Sequence, residues 1–122
     1  MTTPRYTFRV RFRLDPDGVT VDPAEFETRM ARPAVDPGTD GWLFFRDNLW
    51  RGEIGDESHL ASLATEALGV RVVDIEYAAF ITDREHWAAF REAIAADLEA
   101  FRADDVESVI TKYLGSSVEL RD

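Results

Sequence analysis

Apolar and polar residues alternate strictly near the start of the chain. Residues 5–14, RYTFRVRFRL, have an apolar or aromatic side chain at every even position and an arginine or threonine at every odd one. Because successive side chains of a strand point to opposite faces of a sheet, this period predicts a strand with one face in the core. The predicted core face carries Tyr6, Phe8, Val10, Phe12 and Leu14.

The next segment fits two different elements. The sequence DPDG at residues 15–18 predicts a turn after the first strand. Residues 22–32 then begin with DPAE, a helix-start signature of an N-cap, a proline and a capping acid. Phe26 and Met30 have helical spacing, but with the threonine between them they also alternate as strand residues. We expect one helical turn followed by a second strand that ends before Pro33.

The rest of the chain changes between strand and helix patterns. Residues 42–46, WLFFR, predict a third strand. Residues 56–69 are amphipathic with helical spacing and end in glycine, which predicts a helix and its stop. Residues 70–81 follow as a strand. Thr82–Glu85 forms a capping box that opens a long helix, and Asp104–Glu107 repeats this signal for another helix.

Two of these patterns make precise predictions about which side chains reach the core. In the strand at residues 70–81, alternation places Asp74 and Glu76 on one face. The opposite face carries Val73, Ile75, Tyr77, Ala79 and Ile81. In the long helix, one continuous apolar stripe is formed by Trp87, Phe90, Ile94, Leu98 and Phe101.

Strand patterns dominate the first part of the chain and helix patterns the second. This order predicts an α+β two-layer sandwich, with a mainly antiparallel sheet of four to five strands and about three helices on one face. A split ferredoxin-like arrangement is an alternative. Residues 116–122 would add a short edge strand. The length of 122 residues and the lack of a linker predict one domain, residues 1–122.

The charge of the chain suggests the solvent in which it works. The net charge is −10, and Lys112 is the only lysine beside thirteen arginines. Such a chain repels itself in dilute buffer, whereas molar salt shortens the Debye length to about 3 Å and screens the repulsion. We therefore expect a cytoplasmic protein of a salt-in halophile, with salt cations at its acidic surface. An acidic protein from a GC-rich bacterium is the alternative.

Composition also narrows the classes of partner and cofactor. An acidic chain does not favour nucleic acid, because that binding depends largely on lysine and arginine neutralising phosphates. The absence of cysteine excludes disulfides and thiolate chemistry. The N-terminal residues lack a signal-peptide core, and no stretch approaches the roughly 20 apolar residues that span a bilayer. We expect no nucleic acid, no membrane and no cofactor.

Three arginines on one face of the first predicted strand could bind an anion. Arg9, Arg11 and Arg13 are two residues apart, so their guanidinium groups could contact phosphate, carboxylate or an RNA backbone. RNA-binding sheets stack bases on aromatic side chains of the same face, and here the aromatic residues lie on the other face. The favoured interpretation is cross-strand ion pairing with Glu25 and Glu27.

Catalytic motifs are weak in this chain. His59 follows Glu53, Asp56 and Glu57, which could together form an acid–base or cation site. The favoured interpretation is solvated residues whose acids suit a helix N-terminus. Neither His59 nor His86 lies in an HExxH frame, and no GxSxG motif surrounds a serine. We expect no metal site and no catalytic residue.

Two stretches carry a resemblance to a known family. They are WLFFRDNLWRGE at residues 42–53, with Leu49, Trp50 and Arg51 at its centre, and KYLGSS at residues 112–117. Together with the short acidic chain, they resemble the haloarchaeal LWR-salt proteins over essentially the whole length. The resemblance implies haloarchaeal origin and a small cytoplasmic protein. It implies no activity, substrate, cofactor or catalytic residue.

Three hypotheses of function follow. The first is a non-enzymatic structural or protein-interaction module, which could also form a homodimer, with Trp42 and Trp50 as interface anchors. The second is a small-molecule or anion-binding module, in which Arg46 and Arg51 with Trp50 hold a carboxylate, phosphate or nucleotide. The third and weakest is an enzyme that uses His59 and its neighbouring acids. For Trp50 and Arg51, a structural staple is favoured over a binding site.

Overall fold

The computed structural model describes residues 2–14 and 25–121 of the chain. The strands are β1 (Arg5–Arg13), β2 (Glu25–Pro33), β3 (Leu49–Trp50), β4 (Glu53–Ile54), β5 (Arg71–Thr82) and β6 (Val118–Leu120). The helices are α1 (Phe44–Asn48), α2 (Glu57–Leu68), α3 (Arg84–Ala95) and α4 (Val106–Tyr113), with a 3₁₀ helix at Leu98–Phe101. Among these described helices, none is long and apolar enough to cross a membrane.

The main sheet has four strands in the order β2-β1-β5-β6. β1 pairs antiparallel with both β2 and β5, while β6 runs parallel to β5. β3 and β4 form a separate antiparallel hairpin. The predicted α+β class with a mainly antiparallel sheet is therefore confirmed, including the short edge strand near the C-terminus.

The core lies between one face of this sheet and the helices. Alternation in β1 works as predicted, because Tyr6, Phe8 and Val10 are buried while Arg9 and Arg11 are exposed on the opposite, open face. The helices cover the apolar face with buried residues from every one of them: Phe44, Phe45, Leu60, Ala64, Phe90, Ile94, Phe101, Val109, Ile110 and Tyr113. The sheet and the helices thus form the two expected layers.

β2 is a strand, not a helix, over its described residues. It runs one position further than predicted because Pro33 still lies opposite Arg5 of β1. Phe26 contacts Phe12 of β1 with stacked rings, their centroids 5.7 Å apart, as a cross-strand pair. The turn predicted at residues 15–18 and the helix start predicted at Asp22 lie outside the described residues.

The predicted strand at residues 42–46 is wrong. Residues 40–43 form turns and Phe44–Asn48 is a short helix. Phe44 and Phe45 are consecutive and both buried, a pattern that a half-buried strand cannot produce because its neighbouring side chains point to opposite faces. A helical turn lets both rings enter the aromatic core, where Phe45 packs on Phe90 and Phe101.

The prediction of which β5 side chains face the core is correct only in the middle of the strand. The register with β1 shifts twice, which leaves Val73 and Ala78 as extra residues. Each extra residue reverses which side chains face the core. The core face is Val72, Ile75, Tyr77 and Phe80, whereas Val73 is exposed and Ala79 lies opposite Thr7 on the open face. Ile81 lies opposite Arg5 on that same side of the strand but is buried.

The helix starts were predicted one residue too early. Asp83 caps α3 by accepting a hydrogen bond from the His86 N–H at 2.7 Å, and Asp105 caps α4 by accepting from the Ser108 N–H. Thr82 is instead the buried end of β5. The long helix is also interrupted after Ala95, and the 3₁₀ turn that follows it buries Phe101.

Candidate functional site

The Leu-Trp-Arg segment forms the turn of the β3–β4 hairpin. Trp50 lies opposite Glu53, so Arg51 and Gly52 are the two turn residues, with φ angles of 52° and 79°. A type I′ turn requires positive φ at both positions, and this turn type matches the twist of the two flanking strands. Gly52 adopts it freely, whereas Arg51 is strained by it.

The turn docks on the C-terminal end of α4. The Arg51 N–H donates to the Lys112 carbonyl at 2.7 Å, and the Gly52 N–H donates to the Tyr113 carbonyl at 3.0 Å. These carbonyls belong to the last turn of the helix, which has no intrahelical donors for them. The hairpin therefore caps the helix, and the two stretches that carry the family resemblance meet in space.

Glycine is needed where the turn meets the chain after α4. A Cβ built on Gly115 would lie 3.1 Å from the Arg51 carbonyl oxygen, and one on Gly52 would lie 3.1 Å from the Leu114 carbonyl oxygen. Both glycines also have positive φ. The close approach of two backbones explains the glycine in WRG and the glycine in KYLG.

Docking leaves the indole of Trp50 at the surface. Leu49 is buried beside it, while Trp50 is 47% exposed and contacts the edge of Tyr113 with ring centroids 5.9 Å apart. The Arg51 guanidinium carbon and the Lys112 Nζ lie 5.8 Å and 5.7 Å from the indole centroid. We call Trp50, Arg51 and Lys112 together the Trp50 platform.

The Trp50 platform borders an open concavity of about 850 Å³. Hydroxyl groups and two acids complete its lining, which comprises Asp105, Glu107, Ser108, Thr111, Gly115 and Ser116. Both acids are already engaged, since Asp105 caps α4 and Glu107 forms an ion pair with Arg91. The hydrogen bond from the Ser108 N–H holds the pKa of Asp105 below its usual range. The concavity thus offers an aromatic surface, two cations and several hydroxyls.

The two cations of the Trp50 platform have no carboxylate partner within the described ranges. Arg51 is in none of the ion pairs there, and its side chain contacts the indole. Lys112 donates from Nζ to the Phe101 carbonyl at 3.2 Å and lies over Trp50 and Tyr113. Both positive charges are therefore available to a ligand or partner.

Two other predicted site residues lie elsewhere. Arg46 donates from Nε to Asp47 at 3.2 Å and does not line this concavity. Trp42 is partly buried and packs against Phe45, Phe90 and Phe101. The structure therefore does not bring Arg46 and Trp42 together with Trp50 and Arg51.

The arginine ladder of β1 makes cross-strand ion pairs, but mainly with the other neighbour. Arg9 pairs with Glu76 at 3.2 Å and Arg11 with Asp74 at 3.6 Å, both on β5. The predicted partners on β2 occupy matching positions, because Glu27 lies opposite Arg11 and Glu25 opposite Arg13. The ladder is a surface charge network.

The acids near His59 have structural contacts at the start of α2 and beside β5. His59 is exposed on the first turn of α2, and Asp56 caps that helix by accepting from its N–H. Glu57 lies by Asp74, whose hydrogen bond and charge raise the pKa of Glu57. No group of three His, Cys, Asp or Glu residues in the part of the chain that the structure describes is arranged to hold a metal.

Sequence reasoning missed Lys112 as a site residue and also missed a second cavity. This smaller cavity, of about 170 Å³, is enclosed by residues that include Tyr6, Arg32, Trp42, Phe44 and His86. Burial raises the pKa of Tyr6 well above its usual range and lowers that of His86. The one signal for Lys112 in the sequence is that it is the single lysine and begins KYLGSS.

The fold and the platform define a small two-layer α+β protein with an aromatic and cationic surface on a helix-capping hairpin. The model of the family described as LWR-salt protein matches residues 2–122. The chain therefore belongs to the LWR-salt protein family, as its two sequence stretches suggested. No curated protein and no solved structure matches it.

Proposed function

We propose that this LWR-salt protein is a non-enzymatic protein-interaction module of a halophile's cytoplasm, and that it binds its partner through the Trp50 platform. The observation that carries the proposal is the exposed Trp50 between two cations that lack carboxylate partners. Tryptophan and arginine are the residues most enriched among the dominant contributors to protein–protein binding energy. Cytoplasmic location and salt adaptation rest on the acidic, lysine-poor composition.

The backbone of Arg51 supports a role for its side chain in binding. At a φ of 52°, a residue with a side chain costs about 1–2 kcal/mol more than glycine would. The side chain is exposed and, among the described residues, makes no ion pair that would offset this cost. A strained residue that folding does not require is typical of functional sites.

The surroundings favour a protein partner over a free anion. The concavity is wide and also contains Asp105 and Glu107, which repel a small anion. The Trp50 platform itself lies at the C-terminal end of α4, where the helix dipole is negative. An acidic segment with an aromatic or apolar side chain fits better, because burial of its apolar group on Trp50 offsets this repulsion while its carboxylate meets Arg51 and Lys112.

Anion binding is the second candidate function. It is favoured by the two unpaired cations, because a planar carboxylate could receive two hydrogen bonds from the Arg51 guanidinium. Calorimetric titration with acetate and with inorganic phosphate in molar KCl tests it directly. Binding by the wild type that Arg51→Gly abolishes would support the anion module in place of the protein-interaction module.

The main experiment compares three variants of the protein immobilised in molar KCl and exposed to a haloarchaeal lysate. Trp50→Ala and Arg51→Gly should each lower the retention of a specific partner about tenfold or more, as expected for a central contact. Arg102→Gly is the matched control, because Arg102 has the same strained backbone, with a φ of 51°, and does not line the concavity. Its partner retention should equal that of the wild type.

Thermal and chemical unfolding of the same variants shows whether a loss of partner retention results from a loss of stability. Arg51→Gly removes backbone strain but gives the unfolded chain more freedom, so stability should stay the same or rise by up to about 1 kcal/mol. A clear loss of stability would show that the Arg51 side chain is a structural staple. Equal partner retention by all variants would refute the platform as the binding surface.

A further inference from the structure

The outer edge of β2 is a long unpaired strand edge. β2 is the outermost of the four described strands, pairs with β1 on its other side, and is exposed along almost its whole length. Unpaired strand edges present backbone donors and acceptors to any second strand. Such an edge is a site for β-sheet extension, and its side chains determine which strand fits.

Two charged residues of β2, Glu27 and Arg29, are in none of the ion pairs among the described residues. Arg29 lies directly opposite Arg9, a like-charge pair that is unfavourable across a sheet, and Arg9 already pairs with Glu76. Glu27 lies opposite Arg11, whose described ion pair is with Asp74 on β5. The unpaired positive and negative charges are thus two positions apart on one face of the edge strand.

This spacing makes the edge complementary to itself. If a second copy of β2 runs antiparallel with Thr28 opposite Thr28, Glu27 of each copy faces Arg29 of the other. On the opposite face, Phe26 then faces Met30 of the other copy, and both residues are at the surface or only partly buried. Opposite charges, apolar pairs and facing threonines all stabilise antiparallel strands.

Other registers that keep the two sheet faces continuous are poorer. Centring the pair on Glu27 keeps two opposite-charge pairs, Glu25 with Arg29, but brings two glutamates together at its centre, and centring it on Arg29 brings two arginines together. Like charges placed directly opposite each other are unfavourable. Charge complementarity therefore selects a second copy of this chain, in one register, as the occupant of the edge.

We propose that the protein forms a twofold homodimer by antiparallel pairing of β2 with β2, centred on Thr28. The two four-stranded sheets then become one continuous sheet, and each Arg29 gains the carboxylate that it lacks in the single copy. This surface is distinct from the Trp50 platform, which it leaves accessible. The homodimer therefore uses a different surface from the partner binding described above, and the failure of one does not imply the failure of the other.

Charge reversal tests the register in sedimentation equilibrium in KCl solutions. Glu27→Arg and Arg29→Glu each create two like-charge contacts by symmetry, so each should weaken the dimer about tenfold or more. Mixing the two variants restores opposite charges at both contacts, as does combining both changes in one chain. Both the mixture and the doubly changed chain should dimerise like the wild type.

Glu66→Arg is the control, because Glu66 is exposed on α2 and the change in net charge equals that of Glu27→Arg. It should leave the dimer unaffected. A wild type that is monomeric at all protein and KCl concentrations would overturn the proposal. So would a dimer that neither charge reversal weakens, or one that the variant mixture fails to restore.

Discussion

Arg51 shows how single residues of this protein combine a local backbone requirement with an exposed side chain. The turn needs positive φ at two consecutive positions, and only the second is glycine. The sequence marked Trp50 and Arg51 as the residues to inspect, because an aromatic and a guanidinium leave the predicted strand together. It could not indicate Lys112, because the contact between Lys112 and Trp50 depends on how α4 packs against the hairpin.

His86 is a histidine whose pKa is lowered by its surroundings. It is half-buried at the start of α3, and its ring lies 6.1 Å from the ring of Phe80. Burial lowers its pKa, and the charges of Asp83 and Asp36 only partly counter this effect. The sequence suggested an ordinary surface position in the first turn, since burial comes from the loop and strand packed against it.

The lowered pKa predicts a specific pH dependence of stability. The unfolded chain, with a histidine pKa of about 6.5, binds a proton more readily than the folded one, so acidification favours unfolding. The stabilisation is therefore present above pH about 6.5 and is lost as the pH falls below that value through the lowered pKa of the folded state. His86→Gln should flatten the unfolding free energy over this range in chemical denaturation.

The control for this prediction is His59→Gln, because His59 occupies the equivalent first-turn position of α2 but is exposed. The unfolding free energy of this variant should change with pH as it does in the wild type, because the carboxylates contribute equally in both proteins. An unchanged profile for His86→Gln would contradict the link between His86 burial and acid sensitivity.

Among the elements, the hairpin and α4 form the most closely fitted pair. The hairpin supplies two N–H donors to the helix end, and glycines at Gly52 and Gly115 allow the backbones to approach. The same contact orients Trp50 outward and Lys112 beside it. The geometry of the Trp50 platform therefore depends on a backbone contact between segments that are distant in sequence.

Alanine at Gly115 tests this contact. Gly115→Ala places a Cβ 3.1 Å from the Arg51 carbonyl oxygen in addition to the strain of positive φ. We expect it to lower the unfolding free energy by roughly 2–3 kcal/mol. Gly69→Ala is the control, because Gly69 ends α2 with φ of 71° but its Cβ would meet no atom within 4 Å.

The control substitution should lower the unfolding free energy by only about 1 kcal/mol, the effect of backbone strain alone. Urea unfolding curves of both variants provide the comparison. Equal losses in the two variants would show that the close approach at Gly115 contributes nothing beyond its φ angle.

Elements with an unbroken period were predictable from the sequence, and the others were not. β1, α2 and α4 follow one period throughout, so their element types were right, as was the inward face of β1. β5 has two extra residues, and each bulge is a pairing property that the strand's own sequence does not show. Residues 42–46 read as a strand because four apolar and aromatic residues in a row carry no period.

At the scale of the whole molecule, packing of the core favours the compact state and repulsion between like charges opposes it. Apolar residues pack one face of the sheet tightly against the helices, while the chain carries a net charge of −10. Ion pairs such as Arg9–Glu76 and Arg121–Glu119 are exposed and contribute little each. We therefore expect solvent ions to screen most of the self-repulsion.

Salt should consequently raise the thermal stability strongly. Between about 0.1 M and 1 M salt the Debye length falls from about 10 Å to about 3 Å, which screens most of the repulsion. The melting temperature, measured by circular dichroism, should rise by many degrees over this range of KCl. A flat profile would contradict adaptation to high salt.

A variant with Glu66, Glu92 and Glu99 changed to glutamine tests the cause of that rise. All three are exposed, so the changes remove three negative charges without altering the core. The variant should melt higher than the wild type in low salt and gain less from added KCl. If the melting temperature of the variant rose as steeply with KCl as that of the wild type, the salt effect would come from the hydrophobic core and not from charge screening.

The hairpin that caps α4 can form its contacts only late in the synthesis of the chain. The amides of Arg51 and Gly52 find their acceptors at Lys112 and Tyr113, so a nascent chain cannot complete this turn until α4 has left the ribosome. Until then the indole of Trp50 lacks the helix that positions it. The proposed binding through the Trp50 platform therefore requires a chain that extends at least through α4.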